Sequence, residues 1–198
     1  MTAYEKDNCR DSEERIKMMI EAGYPTVGKE IIKCTRCQLH KSTIKRVIGK
    51  GSSHPKVFFI GEAPGKRENE TGIPFYGRAG KKLDKMIEYM GLSEEDWMVT
   101  NTVKCHPPEN RKPKINEIKC CKPFLLAQII LLDPKIIILL GNTAEESFCP
   151  GRKLEWGIPV EHEGRTILKL YHPAALIYTA SRIETQRVFI DKNRTLWE

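Results

Sequence analysis

The run Val57-Phe58-Phe59-Ile60-Gly61-Glu62-Ala63-Pro64-Gly65 decides how this chain is read. Four consecutive apolar residues stop at a glycine, and a polar loop continues to Gly72-Ile73-Pro74-Phe75-Tyr76-Gly77-Arg78-Ala79-Gly80. A short apolar run bounded by turn residues reads as a strand buried on both faces. Prolines fix φ in the loop, and glycines permit positive φ or a close backbone approach. Together they describe a ligand pocket built at the carboxyl end of a strand.

Outward from this run, residues 56–60, 97–103, 135–140 and 165–170 read as strands. Residues 12–22, 81–90, 116–132 and 183–191 read as helices, and another helix begins at 143–148. The first has Ile16, Met19 and Ile20 on one face, a cap at Asp11 or Ser12, and a stop at the Gly23-Tyr24-Pro25 turn. The second turns Leu83, Met86, Ile87 and Met90 inward and ends at Gly91. Strands alternating with helices predict an α/β fold, a three-layer α/β/α domain around a central four-stranded parallel sheet. At 198 residues and 40% hydrophobic composition, one domain over 1–198 accounts for the chain, with 1–33 as an N-terminal helical extension. Ligands of such sheets bind beyond the carboxyl ends of the strands. Glu62, Asn101 and His172 all stand at such ends.

The net charge of +7 and pI near 9.0 suit a polyanionic partner. Between Lys41 and Lys56 there are five basic residues and no acidic one, and Lys104 to Lys122 carries six basic residues against Glu109 and Glu117. The charged amino terminus has no apolar signal segment, and Asp133-Pro134-Lys135 breaks the most apolar region, so an intracellular, cytoplasmic protein with no membrane span is expected. Seven cysteines in such a chain argue against a disulfide framework. Cys34-Thr35-Arg36-Cys37 has metal-ligand spacing, Cys105 adds a third thiol, and Cys120 or Cys121 a fourth. Zinc and a [4Fe-4S] cluster both accept that set. Cys9 and Cys149 read as buried small side chains, and His40, His54 and His162 as surface residues.

Assembled in order, these motifs resemble those of family 4 uracil-DNA glycosylases, the iron–sulfur class of bacteria and archaea. The likeness spans Cys34 to Pro173 and rests on Cys-x-x-Cys, Gly61-Glu62-Ala63-Pro64-Gly65, Gly72-x-Pro-Phe-x-Gly-Arg-Ala-Gly80, Asn101-Thr-Val-Lys-Cys105, Pro107-Pro-x-Asn-Arg111, Leu140-Gly141 and His172-Pro173-Ala174. The resemblance implies a [4Fe-4S] cluster on Cys34, Cys37, Cys105 and Cys121, and a monomer acting on uracil-containing DNA. It also implies release of uracil to leave an abasic site. Expulsion of a uracil anion requires a flipped base, recognition of its edge and stabilisation of negative charge. Phe75 offers a stacking face, and the Asn101 amide matches uracil's donor and acceptor edge where cytosine presents the reverse. His172 donates to the developing oxyanion. Glu62 either orients the attacking water or holds loop amides.

Ala63 occupies the place of an aspartate in family 1 enzymes. Glu68 is expected to crowd uracil's fifth carbon against thymine, and amides near Gly65 and Gly77 to hold the base and a phosphate. Arg111, Lys112 and Lys114 are expected on DNA phosphates. Asn69, Tyr76 and His106 depart from the family pattern, which usually has an acidic residue, a smaller apolar residue and an arginine. The competing function is a non-catalytic iron–sulfur DNA-binding or polymerase-associated module, which replacement of Asn101 or His172 would have favoured. A relative that captures uracil covalently would need an extra nucleophilic histidine loop, and Cys105-His106-Pro107-Pro108 reads as an ordinary cluster loop.

Overall fold

The computed structural model describes residues 12–198. Cys9 and the Asp11 or Ser12 cap lie outside the residues whose side chains are described. Helices α1 (Ser12–Ala22) and α2 (Tyr24–Lys33) lead through the cysteine loop to strands β1 (Lys50–Gly51) and β2 (Val57–Gly61). Next come α3 (Lys66–Thr71), α4 (Arg78–Met90), β3 (Trp97–Asn101), α5 (Ile115–Leu132), β4 (Ile136–Leu140) and α6 (Asn142–Phe148). The chain closes with β5 (Val160–His162), β6 (Arg165–Leu170) and α7 (Ala180–Lys192).

The sheet has six strands in the order β1-β3-β2-β4-β6-β5. Its four inner strands are the expected parallel set, in level register: Val99, Phe59, Ile138 and Leu168 form one row. The two edge strands are antiparallel additions. Neither shows in the sequence, because a strand of two or three partly exposed residues carries no apolar period. Val57, Phe59, Ile138 and Leu140 pack with α4 and α7 on one face, and Phe58, Ile60, Ile137 and Leu139 with α5 and α6 on the other. This is the three-layer arrangement expected. β3 ends at Asn101, short of 103, yet the Thr102 and Val103 amides still donate to the Gly61 and Glu62 carbonyls.

Helix α2 was not expected, because Tyr24-Pro25 reads as a turn. Proline is tolerated in a first helical turn, where its missing N–H has no intrahelical acceptor. Its Val27 and Ile31, with Met19 of α1, pack on Phe124 and Ala127 of α5. Among the described residues no helix is long and apolar enough to cross a membrane, and Asp133 caps α5 where the apolar stretch was expected to break.

A buried ion pair fastens α6 to β6. Lys169 Nζ lies 2.7 Å from Glu145 Oε2 and 4.2 Å from the centre of the Trp156 ring, while Glu145 Oε1 accepts the Leu154 amide. The two side chains are only 2% and 7% exposed. Removing one partner strands a desolvated charge, which costs about 3–5 kcal/mol. Lys169→Met is expected to lose that much in urea unfolding, and adding Glu145→Gln to recover part of it.

Candidate active site

The level register brings four strand ends to one edge. A cleft of about 1050 Å³ opens there, lined by residues that include Glu62, Ala63, Glu68, Phe75, Asn101, Arg111 and His172. Gly61 is paired directly with Asn101 across β2 and β3. A Cβ on residue 61 would collide with Asn101 Oδ1 and would lie 2.6 Å from Phe75 Cζ, so glycine is what lets both side chains close over the strand end. Asn101 is 2% exposed and its Oδ1 has no hydrogen-bond partner. Leaving such an oxygen unpaired costs about 1–3 kcal/mol, which points to a ligand as its partner.

Phe75 is held at φ 52°, a left-handed conformation that an aromatic residue seldom adopts. Gly80 accommodates it, since a Cβ there would strike the Phe75 carbonyl. The Phe75 and His172 rings stand 5.9 Å apart at 34°. The Ala174 amide donates to His172 Nδ1 at 3.2 Å, so the neutral ring carries its proton on Nε2. Burial pushes the imidazole down to about 4, against the opposing pull of the Glu68 carboxylate. At neutral pH, His172 is therefore an uncharged donor.

Glu62 is half-buried in the cleft wall and accepts the Thr143 hydroxyl on Oε2. Glu68 is buried, and its Oε1 accepts the Gly77 amide at 3.2 Å. That bond ties the two glycine loops together and takes the Gly77 amide, which is therefore not available to a base or phosphate. Arg111 lines the cleft, but its guanidinium forms a two-pronged bond to Glu117 at 2.7 and 2.9 Å, so it secures the loop leading into α5 in place of the free phosphate contact expected. Lys112 and Lys114 are exposed, outside the residues that line the cleft.

The sequence reading missed Lys66, Arg67, Arg78 and Lys81, exposed cations on the cleft wall. Their signal was position: each lies in the first turn of a helix that opens after a glycine of the loop. Asn69 and His106 each tie loops together. Asn69 Oδ1 accepts the Ile44 amide at 2.9 Å, and His106 Nδ1 donates to the Pro64 carbonyl at 2.8 Å. Tyr76 is 54% exposed in the cleft wall. His40 is not a plain surface residue, since its ring nitrogen bonds the Cys37 carbonyl.

Cys34, Cys37, Cys105 and Cys121 line one small void, with Cys120, apolar Ile31, Leu39, Val103 and Phe124, and the cations Arg36 and Lys104. Among the described residues no group of three or more possible ligands is gathered tightly enough to hold a single metal ion. Burial pushes the Cys37 thiol up to about 12 and raises Cys105 and Cys121 as well. Lys104 is fully buried beside them: its amide bonds Cys121 Sγ, and its Nζ donates to Thr100 Oγ1 and the Asn101 carbonyl. Cys149 is buried elsewhere, in the core against α5 and α6.

Residues 48–196 match the family model of the uracil DNA glycosylase superfamily. The chain is 37% identical to a type-4 uracil-DNA glycosylase of Thermotoga maritima over 83% of this chain and 88% of that protein. It belongs to the type-4 uracil-DNA glycosylases. Type-4 enzymes of Saccharolobus solfataricus and Archaeoglobus fulgidus are 42% and 36% identical to it, each over 77% of this chain and over 76% and 82% of their own lengths. In a type-4 glycosylase the cleft at these four strand ends is the candidate active site.

Overpacking at the strand end is directly testable. Gly61→Ala is expected to destabilise the fold by about 1–3 kcal/mol in urea unfolding. Combined with Asn101→Ala, which removes one of the two colliding groups, the loss is expected to be less than additive.

Proposed function

We propose that this chain removes uracil from DNA, breaking the bond between uracil N1 and the deoxyribose C1′ and leaving an abasic site. The buried, unpaired Asn101 Oδ1 carries the reading. It suits uracil N3–H, while the amide nitrogen of the same side chain suits O4; cytosine offers an acceptor and a donor at those positions. Phe75 stacks on the flipped base. As the glycosidic electrons pass to the uracil ring, the neutral His172 donates Nε2–H to the developing oxyanion, worth roughly 10²–10³ in rate for a well-placed donor. Glu62 orients the water whose oxygen bonds to C1′ and accepts its proton. Lys66, Arg67, Arg78 and Lys81 at the cleft, with Lys112 and Lys114 beyond it, meet the phosphates.

The four cysteines suit a [4Fe-4S] cluster. They surround a void with apolar walls in place of converging on a point, and Arg36 and Lys104 complement an anionic group. Such a cluster would join the loops of residues 34–37 and 105 to α5, and the Lys104 and His106 bonds extend that support to Asn101 and Pro64.

With a strand carrying one uracil, followed by alkali, cleavage at uracil and none at thymine is expected. His172→Ala is expected to lower the single-turnover rate by about 10²–10³. A parental rate in that variant would refute the donor role. Iron and sulfide analysis of protein prepared without air is expected to give four of each per chain, with stoichiometric zinc as the contrary result.

A further inference from the structure

The strand that follows α5 in sequence lies between β2 and β6 in space. Its carboxyl end is therefore wedged between the Glu62 and His172 corners. Gly141 turns that end at φ 89°, its amide donates to the Leu170 carbonyl at 2.9 Å, and its missing side chain leaves room for His172 Cβ, 3.3 Å from where a Cβ would stand. Two residues later comes Thr143, 5% exposed, with its hydroxyl on Glu62 Oε2. Because a carboxylate only accepts, the hydroxyl is the donor. Among the described residues it is the one hydrogen-bond donor to that carboxylate.

We propose that Thr143 is a positioning residue for the glycosylase reaction, fixing the rotamer of Glu62 so that its second oxygen is the one presented to the attacking water. The inference rests on the proposed role of Glu62. Geometry makes the case. Glu62 is only half-buried, and a carboxylate on two methylenes otherwise samples several staggered rotamers. Thr143 is β-branched, so its own χ1 is restricted, and it sits on a helix pinned by the Lys169–Glu145 pair. A stiff donor on a stiff element selects one orientation of a flexible acceptor. Misplacing a catalytic group by about 1 Å can cost on the order of 10² in rate.

Thr143→Val keeps the shape and removes the donor; Thr143→Ser keeps the donor. The variants are to be compared with Glu62→Gln and the Thr143→Val/Glu62→Gln double variant, following single-turnover rate, KM for uracil-containing DNA, and melting temperature. Expected results are a roughly tenfold lower rate for Thr143→Val at unchanged KM and melting temperature, and recovery in Thr143→Ser. The double variant is expected to be no slower than Glu62→Gln, as for residues acting as a unit. If Glu62→Gln is slow while Thr143→Val is parental, or the two losses multiply, Thr143 does not act through Glu62. If Glu62→Gln retains the parental rate, the water-orienting role fails and this inference with it, while uracil excision itself still stands.

Discussion

The site depends on the absence of a side chain at residue 61. Asn101 Oδ1 and the Phe75 ring both press into the volume a methyl group would fill, and they reach it from different directions: Asn101 across the β2–β3 ladder, Phe75 from the loop that returns over the strand end. Gly80 makes the same concession a turn further on, allowing the start of α4 to sit against the Phe75 backbone. The Asn101 amide and the Phe75 ring thus share one fixed point on a strand that is buried along its whole length. Precision at the cleft comes from the sheet, and the loops inherit it.

Several polar groups in and behind the cleft wall are already engaged: Glu68 with Gly77, Arg111 with Glu117, Asn69 with Ile44, His106 with Pro64. Glu117 shows the balance. Burial alone would raise its carboxyl, but the bonds from Arg111 and the Lys114 amide outweigh that and hold it below its ordinary value. Asn101 Oδ1 is different, buried and unanswered. In a protein interior such a group is expensive, and this one stands at the cleft, where a ligand can reach it. The cations around the cleft, Lys66, Arg67, Arg78 and Lys81, are exposed.

The thiol-lined void and the cleft are linked by short connections. Residues 101–105 run from the buried Asn101 amide to a cysteine, and the Lys104 ammonium, buried and pushed down to about 8 by desolvation, donates back to the Asn101 carbonyl. Support for the void therefore bears on the position of Asn101. The N-terminal helices pack against the same region and close it from the outside.

The sequence by itself determined the four parallel strands and the glycine loop, and brought Phe75, Asn101 and His172 forward as candidates for one site, because apolar runs and strand-end polar residues are local signals. Membership of the cysteine set was legible from spacing and motif resemblance. Only the tertiary structure decided strand order, and with it the placement of Thr143 against Glu62, since a strand's neighbours across a sheet leave no mark in its own residues. It also decided that Arg111 is committed to a carboxylate and that the cations of α3 and α4 line the cleft. A side chain's type is written in the chain, but whether its hydrogen bonds are already spent depends on what the fold brings to within 3 Å of it.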